Sequence, residues 1–255
     1  MKKRKIIEIK NISLNYHSAT SETKAISNMS FDIYKNEFLS IVGPSGCGKS
    51  TLLSIIAGLT QKSGGDIKTS YTKKEIFSNP IGYMLQQDEL FPWRNIVQNI
   101  FLGLEIQKIK NEKTKTYVKK LMKKYGIWDF AKHYPSELSG GMRQKAALIR
   151  TLATNPEILL LDEPFSALDY QTRITISQEI REIIRHENKT AVLVTHDISE
   201  AINLSDRIII FSSRPSHVKR IIEIDKNFTL LSPTEKRKSP LFNEYFETVW
   251  SELNE

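Results

Sequence analysis

The segment Gly43-Pro44-Ser45-Gly46-Cys47-Gly48-Lys49-Ser50-Thr51 follows a short apolar run, Phe38-Leu39-Ser40-Ile41-Val42, and opens a helical pattern from Lys49 to Ala57 that closes at Gly58. No other stretch restricts the fold as strongly. The apolar run fits a buried strand, and a strand that passes through glycines into a helix is the context of a phosphate cradle. Glycines let the backbone wrap so that successive N–H groups face phosphate oxygens. The helix start adds its positive dipole end. Lys49 places a compact charge at the β- and γ-phosphates, and Ser50 offers a hydroxyl to Mg²⁺. All the residues from Gly43 to Thr51 are therefore candidates for holding a nucleotide. Cys47 sits near a helix N-terminus, where a thiol pKa can fall, but a small space-filling role is the expectation. As the single cysteine, it excludes an internal disulfide.

Around this loop the chain alternates between strand and helix patterns. Ile7, Ile9, Ile12 and Leu14, then Met29, Phe31 and Ile33, give mostly alternating apolar positions. Ile158 to Leu161 and Ala191 to Val194 are continuous apolar runs, as in strands buried on both faces. A helical stretch from about Tyr170 to Arg185 lies between them, and a short one from about Ile198 to Leu204 follows. This order implies right-handed crossovers and a parallel sheet. The stretch from about Asp88 to Leu152 differs, being helical and lysine-rich with breaks at Pro92 and Pro135. After a strand around Val218 to Ile224, Ser239-Pro240 starts a helix. Leu241, Phe242, Tyr245, Phe246, Val249 and Trp250 share one of its faces, expected to dock on the protein itself.

No run approaches the ~18–20 apolar residues of a membrane-spanning helix, and the basic start, Met1 to Lys5, leads into a stretch too polar for a signal-peptide core. The chain is expected to stay in the cytoplasm. The formal net charge of +8 arises from scattered lysines. The tight basic clusters, Lys2-Lys3-Arg4-Lys5 and Lys236-Arg237-Lys238, carry no interleaved base-stacking aromatics. A solvated surface is the expectation, and no nucleic-acid partner.

The run Ile158 to Leu161 ends in Asp162-Glu163-Pro164. Acidic groups at the carboxyl end of a buried parallel strand sit where open α/β sheets bind ligands. Asp162 is placed to hold Mg²⁺ through water, and Glu163 to polarise a water against the γ-phosphate. Leu138-Ser139-Gly140-Gly141-Met142-Arg143-Gln144 then separates this chain from other phosphate-loop proteins. It resembles the signature motif of ABC ATPases, although Met142 stands where many members carry glutamine.

The rest of the ABC pattern matches in order. Gln86 resembles the glutamine that contacts Mg²⁺ and the attacking water beside the transmembrane partner; Gln87 is the weaker alternative. Ser166-Ala167-Leu168-Asp169 is similar to the D-loop, with Asp169 in the nucleotide site. His196 resembles the switch histidine that reaches the γ-phosphate, and Tyr16 the aromatic that stacks on adenine. The resemblance implies an α/β P-loop NTPase (RecA-like) core with an N-terminal antiparallel β subdomain and an inserted α-helical subdomain at about 88–152. Residues 1–255 would form one ATPase domain with a C-terminal extension at about 226–255. It implies ATP and Mg²⁺ as cofactors and a homodimer. ATP would lie between one copy's phosphate loop and the Ser139, Gly140 and Gly141 donors of the other. Expected catalytic residues are Glu163, His196 and Gln86, with Ser50, Gln86 and Asp162 at the metal.

Phe91-Pro92-Trp93-Arg94-Asn95 resembles a segment of importer ATPases of the nitrate/sulfonate/taurine group, as does the tail with Lys238-Ser239-Pro240-Leu241-Phe242 and Trp250. That likeness implies transmembrane permease subunits as partners, an extracytoplasmic solute-binding protein indirectly, and a peripheral place on the cytoplasmic membrane face. The implied cargo is a small anionic or vitamin-precursor solute. An exporter or lipid-transfer ATPase is the alternative. A DNA-repair or translation ABC protein usually carries paired ATPase units, and Glu163 with His196 argues against a module without turnover.

Overall fold

A computed structural model describes residues 4–17, 22–71 and 80–254. In chain order its elements are β1 (Lys5–His17), β2 (Glu22–Tyr34), β3 (Phe38–Val42), α1 (Lys49–Ile56), β4 (Gly64–Thr69), β5 (Ile81–Met84), α2 (Ile96–Ile106), α3 (Glu112–Lys124) and α4 (Gly140–Ala153). There follow β6 (Ile158–Asp162), α5 (Tyr170–His186), β7 (Thr190–Val194), α6 (Ile198–Leu204), β8 (Arg207–Phe211), β9 (Val218–Glu223), α7 (Lys226–Leu230), α8 (Pro233–Lys238) and α9 (Pro240–Asn254). These elements group into two compact units, Met1–Tyr71 with Thr190–Glu255, and Thr72–Lys189.

In the first unit β1 pairs antiparallel with β2 and with β4. Ile7, Ile9, Ile12 and Leu14 face Ile33, Phe31, Met29 and Ile26 across the β1–β2 ladder. The step from Ile9 to Ile12 breaks strict alternation, and the ladder accommodates it with a register shift between those residues. Asn11 lies in this step and Asn28 in the opposite shift that follows between Ile12 and Leu14; both have φ of 51°, a conformation asparagine tolerates better than most side chains. The bulge keeps Ile12 on the buried face.

The second sheet of this unit centres on β3, parallel to β7 on one side and β8 on the other, with β9 antiparallel beyond β8. Every residue of β3, β7 and β8 is buried, as the continuous apolar runs require of doubly covered strands. Ser40, the polar member of β3, is matched by the hydroxyl of Ser205.

Val42, Ile198, Ala201, Ile202, Ile208, Ile210, Ile222, Phe228 and Val249 form one core cluster, against which Phe242, Tyr245, Phe246 and Leu253 of α9 pack. The tail helix is therefore docked on its own protein. Two positions depart from the expected face: Leu241 is 37% and Trp250 53% exposed. The stripe that meets the core runs through Phe242, Phe246, Val249 and Leu253, at helical steps of three and four. Trp250 lies at its edge, stacked on Phe246 with ring centroids 6.1 Å apart. Lys236, expected on a solvated surface, is instead buried, donating to the Asn203 carbonyl at 2.6 Å and lying over the Phe228 ring. Lys2 and Lys3 of the other cluster lie outside the described residues.

Arg207 and Glu37 are 4% exposed each, with Nε and Oε2 3.8 Å apart. The Arg207 guanidinium also donates to the Asp32 carbonyl at 2.7 Å and covers the Tyr34 ring. Removing one partner leaves the other as an uncompensated buried charge. Arg207→Met should therefore destabilise the fold by about 3–5 kcal/mol, read as a lower urea midpoint. An unshifted midpoint would show that the pair contributes nothing.

In the second unit β5 and β6 pair in parallel, with Ile81, Gly82, Tyr83 and Met84 opposite Ile158, Leu159, Leu160 and Leu161. Between them come α2, α3 and α4. Asn95 and Asn111 begin α2 and α3 with reciprocal capping boxes, which satisfy first-turn amides that would otherwise be orphaned. A Cβ at Gly141 would stand 2.7 Å from Ile176, so glycine lets α4 lie directly on α5. Among the described residues no helix is long and apolar enough to cross a membrane.

Candidate functional site

The phosphate loop leaves β3 at Gly43 and enters α1 at Lys49. Gly48, the residue before the helix, has φ of 112°, a backbone that L side chains rarely adopt. A Cβ there would only reach ordinary contact with Ile26 at 3.4 Å, so the backbone conformation is what calls for glycine. Lys49 is 6% exposed, and its ammonium donates to the carbonyls of Gly43 at 2.8 Å and Pro44 at 3.0 Å. The lysine thus draws both ends of the loop around its own charge. Ser45, Gly46 and Ser50 are exposed, so these three residues lie on the open side of the loop. The Cys47 thiol is buried, and burial pushes its pKa up despite the nearby Lys49 charge. This matches the space-filling role and not a reactive one. Tyr16 is 47% exposed, and its hydroxyl lies 3.4 Å from that of Thr51, so its ring stands over the first turn of α1.

His196 lies in the same unit, exposed, one residue past Thr195, which follows the end of β7 at Val194. The Thr195 hydroxyl bonds the Glu200 carboxylate and accepts from the Asp197 amide at 3.1 Å. Asp197 in turn caps α6 by accepting from the Glu200 amide at 3.0 Å. The imidazole is presented from a turn pinned on both flanks.

The other candidates belong to the second unit. Met84 pairs with Leu161, so two residues onward on each strand Gln86 and Glu163 emerge side by side. Their loops are bonded together: Gln86 Nε2 donates to Ser166 Oγ at 3.3 Å, and that hydroxyl donates to the Glu163 carbonyl at 3.0 Å. Glu163 has φ of 46°, uncommon for a residue with a side chain and of the kind that clusters at functional sites. Asp162 closes β6, and the Tyr83 hydroxyl donates to its Oδ2 at 3.1 Å.

Ser139 caps α4, its hydroxyl accepting from the Met142 amide at 3.3 Å. A Cβ at Gly140 would approach Leu168 to 3.1 Å, which places the signature segment against the Ser166–Asp169 loop. Asp169 caps α5 by accepting from the Thr172 amide at 3.0 Å. Hydrogen bonds from Thr172 hold its carboxyl below the usual carboxylate range. Both residues therefore have a local structural duty as helix caps beside any duty to a nucleotide.

Asp88, Arg150 and the further bonds of Arg143 carry no motif of their own in the sequence. Arg143 and Arg150 of α4 both bond the turn at Asp88 and Glu89. Their signal was two arginines spaced by seven on one helix, which places them on one face.

The profile of the ABC transporter family matches residues 26–166. The chain is 46% identical over 248 residues to the uncharacterized ABC transporter ATP-binding protein YtlC of Bacillus subtilis, covering 97% of this chain and 95% of that one. It is 39% identical over 217 residues to the aliphatic sulfonates import ATP-binding protein SsuB of Bacillus cereus, covering 85% of each. Among solved structures, the dimeric ABC transporter cassette MJ0796 superposes with a TM-score of 0.71 at 33% identity, covering 86% of this chain and 99% of that one. A post-hydrolysis dimer of MJ0796 bound to ADP and Pi gives a TM-score of 0.69 at 32% identity, with the same coverage. The strand–loop–helix cradle, the parallel strands and the separate antiparallel sheet are those of a P-loop NTPase, and the chain belongs to the ABC transporter family as an ATP-binding ATPase.

Proposed function

We propose that this chain works as a homodimer that hydrolyses ATP to drive the uptake of a small anionic or vitamin-precursor solute through separate membrane subunits. In this reading ATP lies between the Gly43–Thr51 loop of one copy and the Ser139, Gly140 and Gly141 donors of the other. Tyr16 stacks on the adenine, and Lys49 meets the β- and γ-phosphates. Glu163 polarises the attacking water, His196 reaches the γ-phosphate, and Gln86 orients the water from the adjoining loop. Asp169 lines the same site from the partner-facing loop.

Ser50, Gln86 and Asp162 supply hard oxygen donors of the kind Mg²⁺ takes, with phosphate oxygens and water completing its shell. Bound there, the ion would neutralise charge on the phosphates. The remaining work falls to the chain's own groups, which position water and phosphate and close the two copies. ATP favours the closed pair because only that state offers both half-sites, a population shift by differential contact. Residues 88–152 act as a helical subdomain within one ATPase domain, and residues 226–255 as its extension.

The importer reading rests chiefly on the segment after Gln86. Trp93 is 71% exposed and stacks on Phe91 at 4.9 Å, offering an aromatic shelf. The likeness to the sulfonate ATPase SsuB adds support. A permease bound to that shelf would hold the chain at the cytoplasmic membrane face, with an extracytoplasmic binding protein delivering solute to the permease. Purification of the native complex in mild detergent tests this. A co-purifying permease and solute-binding protein are expected; recovery with a permease but with no binding protein in the same operon or pull-down would favour export or lipid transfer instead.

A further inference from the structure

We infer that Arg143 and Arg150 are positioning residues that clamp the Gln86 loop to the helix carrying Ser139, so that the γ-phosphate state sensed at Gln86 sets the pose of the signature segment. Four bonds converge on the Asp88–Glu89 turn. Arg143 Nε donates to Asp88 Oδ2 at 3.0 Å, and the Leu90 amide donates to Asp88 Oδ1 at 3.1 Å. Arg150 donates to the carbonyls of Asp88 at 2.7 Å and Glu89 at 2.5 Å. Glu89 has φ of 48°, which turns its carbonyl and that of Asp88 toward the same guanidinium.

The other hand of Arg143 makes the clamp more than a brace for a turn. Its Nη1 donates to the Leu138 carbonyl at 2.9 Å, and Leu138 immediately precedes Ser139. One guanidinium therefore holds the residue two positions after Gln86 and the residue one position before Ser139. On its other side Gln86 is bonded through Ser166 to the Glu163 backbone. A shift of the Gln86 loop that carries Asp88 with it cannot leave Arg143 behind without breaking a charge-assisted bond, and Arg143 carries that shift to the start of α4. Lysine cannot replace this, because a single ammonium lacks the planar fork that serves both acceptors at fixed spacing.

The inference rests on the reading that Ser139 meets ATP held by the partner. The test compares Arg143→Ala, Arg143→Lys, Asp88→Asn and the Arg143→Ala/Asp88→Asn double variant in the full chain. ATP affinity of the isolated chain, measured by titration, should stay within about twofold, because the phosphate loop is untouched. The kcat should fall about tenfold or more in each single variant, Arg143→Lys included. In a Glu163→Gln background the ATP concentration that half-dimerises the protein should rise about tenfold. The double variant should be no worse than the more severe single one, the signature of residues acting as a pair. The clamp is overturned if kcat stays within twofold while melting temperature drops, or if the two losses multiply. Asp88→Asn keeps shape and serves where Arg143→Ala loses the fold. Should the Glu163→Gln parent itself not dimerise with ATP, the partner-facing role of Ser139 fails, and the kcat comparison alone decides the clamp.

Discussion

Glu163→Gln should keep ATP binding, slow hydrolysis by at least about 100-fold, in the range of general-base losses, and trap a dimer in the presence of ATP. The substitution is close to isosteric and leaves the backbone bonds of Glu163 in place: its carbonyl still accepts from the Ser166 amide at 3.2 Å and the Ser166 hydroxyl at 3.0 Å. The strained φ of 46° is a property of that loop and not of the carboxylate. What is lost is the negative charge proposed to polarise the water. A 100-fold loss corresponds to about 2.7 kcal/mol in the barrier. With hydrolysis blocked, the closed pair keeps its ATP, and gel filtration should show a dimer that the unsubstituted chain shows only transiently. Adding Ser139→Arg should abolish that dimer, because a long cation at the cap of α4 would fill the space proposed for the partner's phosphate. Near-normal steady-state turnover in Glu163→Gln, or a dimer that survives Ser139→Arg, would contradict these roles.

The parts of the site that could be read from sequence are those built by neighbours in the chain. A strand, a glycine turn and a helix start are local, so Gly43 to Thr51 and the Leu138–Gln144 segment stand out as patterns. The adjacency of Gln86 and Glu163 was not legible, because it depends on β5 and β6 pairing with Met84 opposite Leu161. Nor was the grip of Arg143 on Asp88, 55 residues away in the chain. An arginine on the helix of the signature segment looks like any solvated helix residue until its partner is placed.

The same limit explains the errors in the fold. Step counting assigned α9 a broad apolar face, yet the core it meets is narrow enough to leave Trp250 half outside. Composition suggested a solvated lysine cluster, yet Lys236 is buried with its ammonium satisfied by a carbonyl. Ile12 breaks the alternation for a reason sequence does not display, a bulge at Asn11 that a second one at Asn28 on the facing strand offsets.

Lys49→Ala is expected to weaken ATP binding about 100-fold and abolish measurable turnover. The ammonium is 6% exposed and donates to the Gly43 and Pro44 carbonyls, so it both shapes the cradle and charges it. A charge-assisted hydrogen bond contributes about 1.5–3 kcal/mol, and loss of one or two such bonds to phosphate gives the about 2.7 kcal/mol that 100-fold represents. The carbonyls left behind point into a loop that must accept anions, which opposes binding further. Lys49→Arg separates shape from charge: it keeps the cation, but a guanidinium is too wide for a site so enclosed, and it should lose turnover nearly as fully. Titration with a fluorescent ATP analogue and a phosphate-release assay check both variants, alongside a melting curve to confirm folding. Unchanged binding together with unchanged turnover in the folded Lys49→Ala protein would remove this lysine, and with it the phosphate loop, from the centre of the mechanism.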